Sequence, residues 1–214
     1  MGHSVLRLLE DLKAVSSINE ADVVIDFSHP DWTGPLVGSL LANPRPLVVG
    51  TTGLSQEIRD QLVELASQVP VVLAPNTGTG VNVLQRIAQK AAEALGEGWD
   101  TEILEMHHRR KVDAPSGTAW MLLEGLGDRS SAVASRVGET GPRTDDEIGI
   151  QTLRGGDIVG EHTVYLIGEG ERLELTHRAW SRDTFARGAL RAARWLLRAD
   201  QKPGLYSMAD VLGI

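Results

Sequence analysis

Asp22-Val23-Val24-Ile25-Asp26-Phe27 carries an unbroken block of apolar, mostly β-branched residues and runs straight into the polar Ser28-His29-Pro30. Two runs of the same kind follow, Pro46-Leu47-Val48-Val49-Gly50 and Val69-Pro70-Val71-Val72-Leu73-Ala74, with starts about 23 residues apart. The segments between them are long enough for helices. Strands without polar and apolar alternation are covered on both faces, and helical crossovers return each strand parallel to the last. This third of the chain therefore reads as α/β with a parallel sheet. In open sheets of this class ligands gather beyond the carboxyl ends of the strands, so Ser28-His29-Pro30, Gly50-Thr51-Thr52-Gly53 and Ala74-Pro75-Asn76-Thr77 are candidate binding loops.

Further along, Val81, Leu84, Ile87, Ala91 and Leu95 recur at helical spacing, and Gly96 can end the helix they define. The pattern then changes. Thr101 to His108, Asp157 to Ile167 and Arg172 to Ala179 read as antiparallel strands, the last two joined across Gly168-Glu169-Gly170. Residues 127–150 are polar and turn-rich and read as a long irregular crossover. Ser181-Arg182-Asp183-Thr184-Phe185, followed by Ala189, Ala192, Ala193, Leu196 and Leu197, reads as a capped amphipathic helix that could return to the first domain.

Composition narrows the function classes. With 214 residues, 42% of them hydrophobic, the chain can bury one large core or two small ones. A formal charge of −8 with acids spread throughout lacks the basic footprint of a nucleic-acid binder, so no nucleic-acid partner is expected. The absence of cysteine excludes disulfides, thiolate nucleophiles and cysteine-held metals. No uninterrupted apolar run approaches the ~18 residues of a membrane span, and acids stand among the opening residues where a signal peptide would be apolar. The expected location is the cytoplasm, with no membrane partner.

The densest chemistry lies in Glu105-Met106-His107-His108-Arg109-Arg110-Lys111-Val112-Asp113-Ala114-Pro115-Ser116-Gly117-Thr118-Ala119. If the strand runs through both histidines, His107 and His108 point to opposite faces and take different roles. That geometry argues against one shared metal ion, and none is expected. Either imidazole can exchange a proton near neutrality, and Lys111 can bind an anion or give up a proton. Ser116-Gly117-Thr118 looks like a helix start whose backbone amides would suit a carboxylate or phosphate. The plainer reading is a solvated charged turn followed by a helix capped by Asp113 or Ser116. His162 and His177 read as ordinary sheet residues, and Arg154-Gly155-Gly156 as a turn.

The segment from Glu102-Ile103-Leu104-Glu105 through Ala119 resembles the signature of the 4-hydroxy-tetrahydrodipicolinate reductase (dihydrodipicolinate reductase) family. Val24-Ile25-Asp26-Phe27-Ser28, Gly50-Thr51-Thr52-Gly53, Gly80-Val81-Asn82-Val83, Arg154 to Thr163 and Ser181 to Ala186 resemble further family motifs, in the family's order. The resemblance implies NADH- or NADPH-dependent reduction of the dehydrated form of 4-hydroxy-tetrahydrodipicolinate, a small dicarboxylate, in lysine and diaminopimelate biosynthesis. His107 would be a proton donor and acceptor and Lys111 the principal proton donor, with His108, Gly117 and Thr118 binding substrate carboxylates. Gly50, Thr51, Thr52, Ala74, Pro75, Asn76 and Thr77 would contact the cofactor. The implied architecture is α/β: a truncated Rossmann-like dinucleotide-binding domain (1–78 and 188–214), and a central α+β mixed-sheet domain (79–187) for substrate binding and assembly into a homotetramer.

The chain departs from the family at two places. Met1-Gly2 resembles the last two residues of the family's Gly-x-x-Gly-x-Met-Gly loop, whose preceding strand and earlier glycines are missing, and only a poor strand is expected near Leu12 to Ser16. A start placed too far downstream is the preferred explanation, ahead of a shortened chain with altered cofactor binding or an imposed boundary. Thr77-Gly78 also stands where the family has a bulky apolar residue and then Ser. The competing function is a cofactor-deficient homologue that binds a dicarboxylate or serves assembly without reductase activity.

Overall fold

The computed structural model describes residues 13–198 and 200–214, so the reading of Met1-Gly2 as the end of a glycine loop lies outside the described residues. The chain divides into two units. One runs to Asn82 and resumes at Arg182–Ile214, and the other is the continuous segment Val83–Ser181.

In the first unit, β1 (Val24–Asp26), β2 (Leu47–Val49) and β3 (Pro70–Leu73) alternate with α1 (Pro30–Ala42) and α2 (Gln56–Ala66), and α3 (Thr79–Leu95) begins there. The three strands are parallel as expected, pairing Val24 with Leu47 and Val49 with Leu73. The continuous apolar runs now have a cause. Leu47, Val49 and Val71 pack on one face with Val37, Leu40, Leu62 and Leu65 of α1 and α2. Val48, Val72 and Ala74 pack on the other with Ala192, Ala193 and Leu196 of α5 (Asp183–Leu196) and Met208 and Val211 of α6 (Met208–Leu212). Each fully buried aliphatic side chain contributes ~1.5–3 kcal/mol relative to exposure, so both helical layers are held by the same short strands. No strand forms over Lys13–Ser16, the described part of the weak strand expected there.

The return of the chain to this sheet goes further than one helix. β9 (Gly204–Tyr206) adds in parallel beside β3, giving the order β1-β2-β3-β9, and α6 follows with a reciprocal Ser207–Asp210 capping box. The helix α5 starts with Arg182 at the N-cap and no side-chain capping hydrogen bond, its first turn being served by the acid Asp183.

The second unit is a mixed sheet in the order β5-β6-β4-β7-β8, built from β4 (Asp100–His107), β5 (Ala132–Ala134), β6 (Ile148–Arg154), β7 (Gly160–Gly168) and β8 (Glu171–Ala179). β4–β7 and β7–β8 are antiparallel as expected, and the β7–β8 hairpin turns at Glu169-Gly170, where Gly170 has φ +81°. Ile103, Ile150, Val164 and Leu166 face Leu84 and Ala88 of α3 and Ala119, Leu122 and Leu123 of α4 (Gly117–Leu126).

Residues 127–150 are not the irregular crossover that the sequence suggests. They hold a 3₁₀ turn at Arg129–Ser131 and β5, and β6 starts among them at Ile148 and runs parallel to both β5 and β4. Gly149 hid that strand, since glycine weakens strand character. A Cβ there would lie 1.8 Å from a carboxylate oxygen of Glu102 on β4, so a side chain at this position would have to displace the end of the Glu102 side chain. The polar stretch before β6 is ordered by Arg143, which donates to Asp100 Oδ1 at 2.9 Å and to the carbonyls of Thr101 and Glu147. Among the described residues no helix is long and apolar enough to cross a membrane.

Candidate active site

β4 places Ile103, Glu105 and His107 on one buried face, so the core wall turns polar as the strand approaches its carboxyl end. The strand stops at His107, and the half-buried His108 begins the following loop. Glu105 is fully buried and collects five hydrogen bonds. His107 Nδ1 lies 2.6 Å from Oε2, and the Arg154 guanidinium spans both oxygens at 2.8 Å each. The Ser116 backbone N–H donates to Oε1 at 3.1 Å and the Thr152 hydroxyl to the same oxygen at 3.2 Å. Burial alone would push this carboxyl up. The hydrogen bonds and charges of His107 and Arg154 outweigh it and hold the group at about 2.

His162 sits opposite Glu105 on β7 and meets the His107 ring edge-on, with centroids 5.2 Å apart. Its Nε2 lies 3.1 Å from Ser116 Oγ, which itself accepts the Ala119 N–H as the N-cap of α4. Burial, with the charge of His107 adding to it, pushes His162 down to about 3, so this imidazole is neutral. On the other side of the cluster Gly160 borders His107, and a Cβ there would stand 3.0 Å from Nε2.

The loop from β4 to α4 is tied to the same group. Arg154 Nη2 also donates to the Asp113 carbonyl at 2.7 Å, and Gly155 N–H donates to the His107 carbonyl at 3.0 Å. Lys111 Nζ reaches both oxygens of Asp113 at 2.7 Å, and that bond lowers the Asp113 carboxyl. Ser116, not Asp113, caps the helix. Gly117 opens its first turn with nothing within 4 Å of where a Cβ would be, and Thr118 follows. Open backbone at a helix start is suited to an anion.

In the first unit the loops after β1 and β2 are joined through Asp26. Its buried carboxylate accepts from the hydroxyls of Ser28 (2.5 Å), Thr33 (2.6 Å) and Thr51 (3.0 Å) and from the Ser28 N–H (3.0 Å). Gly50 donates its N–H to the Asp26 carbonyl, and a Cβ there would strike the Phe27 ring. Thr52 and Pro75 are exposed and Ala74 is buried. Asn76 Oδ1 accepts the Gly78 N–H at 2.8 Å, while Thr77 is buried and gives its hydroxyl proton to the Phe185 carbonyl at 2.7 Å. The hydroxyls of Thr51 and Thr77 are therefore engaged within the protein, and Thr77 is wholly buried.

Two family models cover nearly all of the chain: dihydrodipicolinate reductase, N-terminus, over residues 2–77, and dihydrodipicolinate reductase, C-terminus, over residues 80–212. The chain belongs to the dihydrodipicolinate reductase family. It is 50% identical over 203 residues to the 4-hydroxy-tetrahydrodipicolinate reductase of Syntrophotalea carbinolica, covering 92% of this chain and 75% of the relative. It is 51% identical over 204 residues to that of Akkermansia muciniphila, covering 92% and 82%. Among solved structures it is similar to the dipicolinate-bound dihydrodipicolinate reductase of Paenisporosarcina sp. TG-14, with TM-score 0.71 and 26% identity over 89% of this chain and 73% of that one. Seen with the family in view, the residues that motif reading left unassigned are Glu105, Arg154 and His162. The period of two along Ile103, Glu105 and His107 was the available signal for the first.

Proposed function

We propose that this chain reduces the dehydrated form of 4-hydroxy-tetrahydrodipicolinate to tetrahydrodipicolinate with NADH or NADPH, as a step in lysine and diaminopimelate biosynthesis. A cytoplasmic setting suits that chemistry and a chain without cysteine. The observation that carries the reading is the buried Glu105–His107 pair lying directly before the open helix start at Ser116–Thr118, in a chain half identical to reductases of that name.

The substrate joins a C=N bond to two carboxylates, so its reduction needs a hydride, a proton and fixed anions. The reduced nicotinamide, when bound, supplies the hydride. The donor set of the first unit fits such a group. Gly50, Thr51, Thr52, Ala74, Pro75, Asn76 and Thr77 follow adjacent parallel strands at their carboxyl ends, where a dinucleotide is expected to lie. Lys111 acts as the principal proton donor, with Asp113 as the counter-ion it leaves when substrate carboxylate arrives. His107 exchanges a proton, and His108 with the amides of Gly117 and Thr118 holds the carboxylates. Cations and helix-start dipoles offset the charge of the dianion while the ring nitrogen takes its proton.

The mixed sheet also supports a homotetramer through β8, an edge strand in the described sheet with Leu173 exposed on its surface. Sedimentation velocity at micromolar concentration tests this, and a monomer would overturn it. For the reaction itself, nucleotide oxidation is followed with freshly generated substrate. Turnover with NADH or NADPH is expected, and none with either by a folded chain removes the proposal.

A further inference from the structure

Glu105 makes no approach to solvent, yet it is the most heavily hydrogen-bonded carboxylate described in the site. Its two oxygens carry different loads. Oε1 receives the Ser116 N–H, the Thr152 hydroxyl and Arg154 Nη2, while Oε2 faces His107 Nδ1 and Arg154 Nη1. We propose that Glu105 is a positioning residue that fixes His107 as the Nδ1–H tautomer, so that Nε2, beside Gly160, is the atom that exchanges the proton with substrate. The proposal rests on the reductase reading.

An ionised carboxylate can only accept, so the imidazole nitrogen 2.6 Å away must carry hydrogen. Arg154 supplies the counter-charge that makes this buried anion tolerable, and its donation to the Asp113 carbonyl ties the segment after Lys111 to the same group. The carboxyl, held at about 2, does not titrate in any working range. The other titratable groups around the pair are His162 and His177 from β7 and β8 and Lys111 and Asp113 from the loop. None of them gives Nδ1 an alternative acceptor. At the other nitrogen, the missing side chain at Gly160 keeps the space beside Nε2.

Glu105→Gln tests this because the three donors on Oε1 keep an oxygen there, which turns the amide NH₂ towards His107. Nδ1 must then accept, and the proton moves to Nε2. Nitrogen-15 NMR of histidine-labelled protein reads the tautomer, with the His107 signals identified by their loss in His107→Asn. Wild type is expected to show Nδ1–H and Glu105→Gln to show Nε2–H, with kcat falling roughly 10²–10⁴-fold. Dipicolinate affinity by calorimetry should change only a few-fold. A wild-type ring protonated at Nε2, or a ring unmoved in a folded Glu105→Gln, overturns the proposal. The wild-type spectrum decides even where the variant does not fold. A chain that oxidises neither nucleotide yet shows the tautomer exchange overturns the reductase reading and supports the positioning.

Discussion

His162 spends its working life uncharged, and that choice has a visible cost in acid. The unfolded chain takes up a proton near the ordinary histidine value of 6.5, whereas the folded imidazole refuses it until about 3. Its contribution is therefore whole above about 6.5 and lost as pH falls through that window, at up to ~1.4 kcal/mol per pH unit. His177, also pushed down by burial, acts in the same sense. Glu105 works lower: its contribution stands above 4.5 and fades as pH drops towards 2. His162→Asn, which can still bond Ser116, is expected to flatten the fall of Tm between pH 6.5 and 4.5; an unchanged slope would place that acid sensitivity elsewhere. Lys111 makes a different kind of prediction. Lys111→Ala should lower kcat by roughly 10²–10⁴-fold while leaving nucleotide Kd within a few-fold, and equal losses in both would contradict its role as proton donor. At this scale the motif made His107, Lys111 and the Ser116 helix start legible. Arg154 was not, because an arginine before two glycines looks like a turn until β6 lies beside β4 and brings its guanidinium to Glu105.

Among the elements, α5 is the one whose seat leaves least room. A Cβ at Gly188 would fall 1.7 Å from the Thr77 carbonyl oxygen, and a backbone atom cannot swing aside as a side chain can. Gly188→Ala should therefore cost about 3 kcal/mol or more and lower Tm by on the order of 10 °C, read by calorimetry, with nucleotide binding weakened through the displaced Thr77 loop. A melt within a few degrees of wild type would mean that α5 shifts at little cost. The same elements explain what sequence periodicity reached. β1, β2 and β3 were legible because both faces are covered and every residue in their centres is apolar. β6 escaped because Gly149 and the polar stretch before it weaken the strand signal, and β9 because three residues are too few to show a period.

For the whole molecule, the proposed function assigns nucleotide to one unit and dicarboxylate to the other, so the two should respond to different ligands. In hydrogen exchange, NADH or NADPH is expected to protect the Gly50–Gly53 and Ala74–Thr77 loops, and dipicolinate the His107–Thr118 segment. Protection of neither loop by nucleotide in a folded chain would leave the first unit without its expected role. The division itself was only partly legible, since helical and strand patterns show where architecture changes but not which later strand rejoins an earlier sheet.

β9 has a consequence in time rather than in space. It lies beside β3 but follows it in the chain by more than the whole of Val83–Ser181. A ribosome adding roughly 5–20 residues each second therefore completes the inner unit before it makes the strand and helices that close the outer one. Until then β3 carries an unpaired edge, and Val48, Val72 and Ala74 lack their cover from α5 and α6. A newly made chain thus completes the Glu105–His107–Arg154 cluster first, and holds a half-built sheet open to chaperones or to neighbouring nascent chains in the interval.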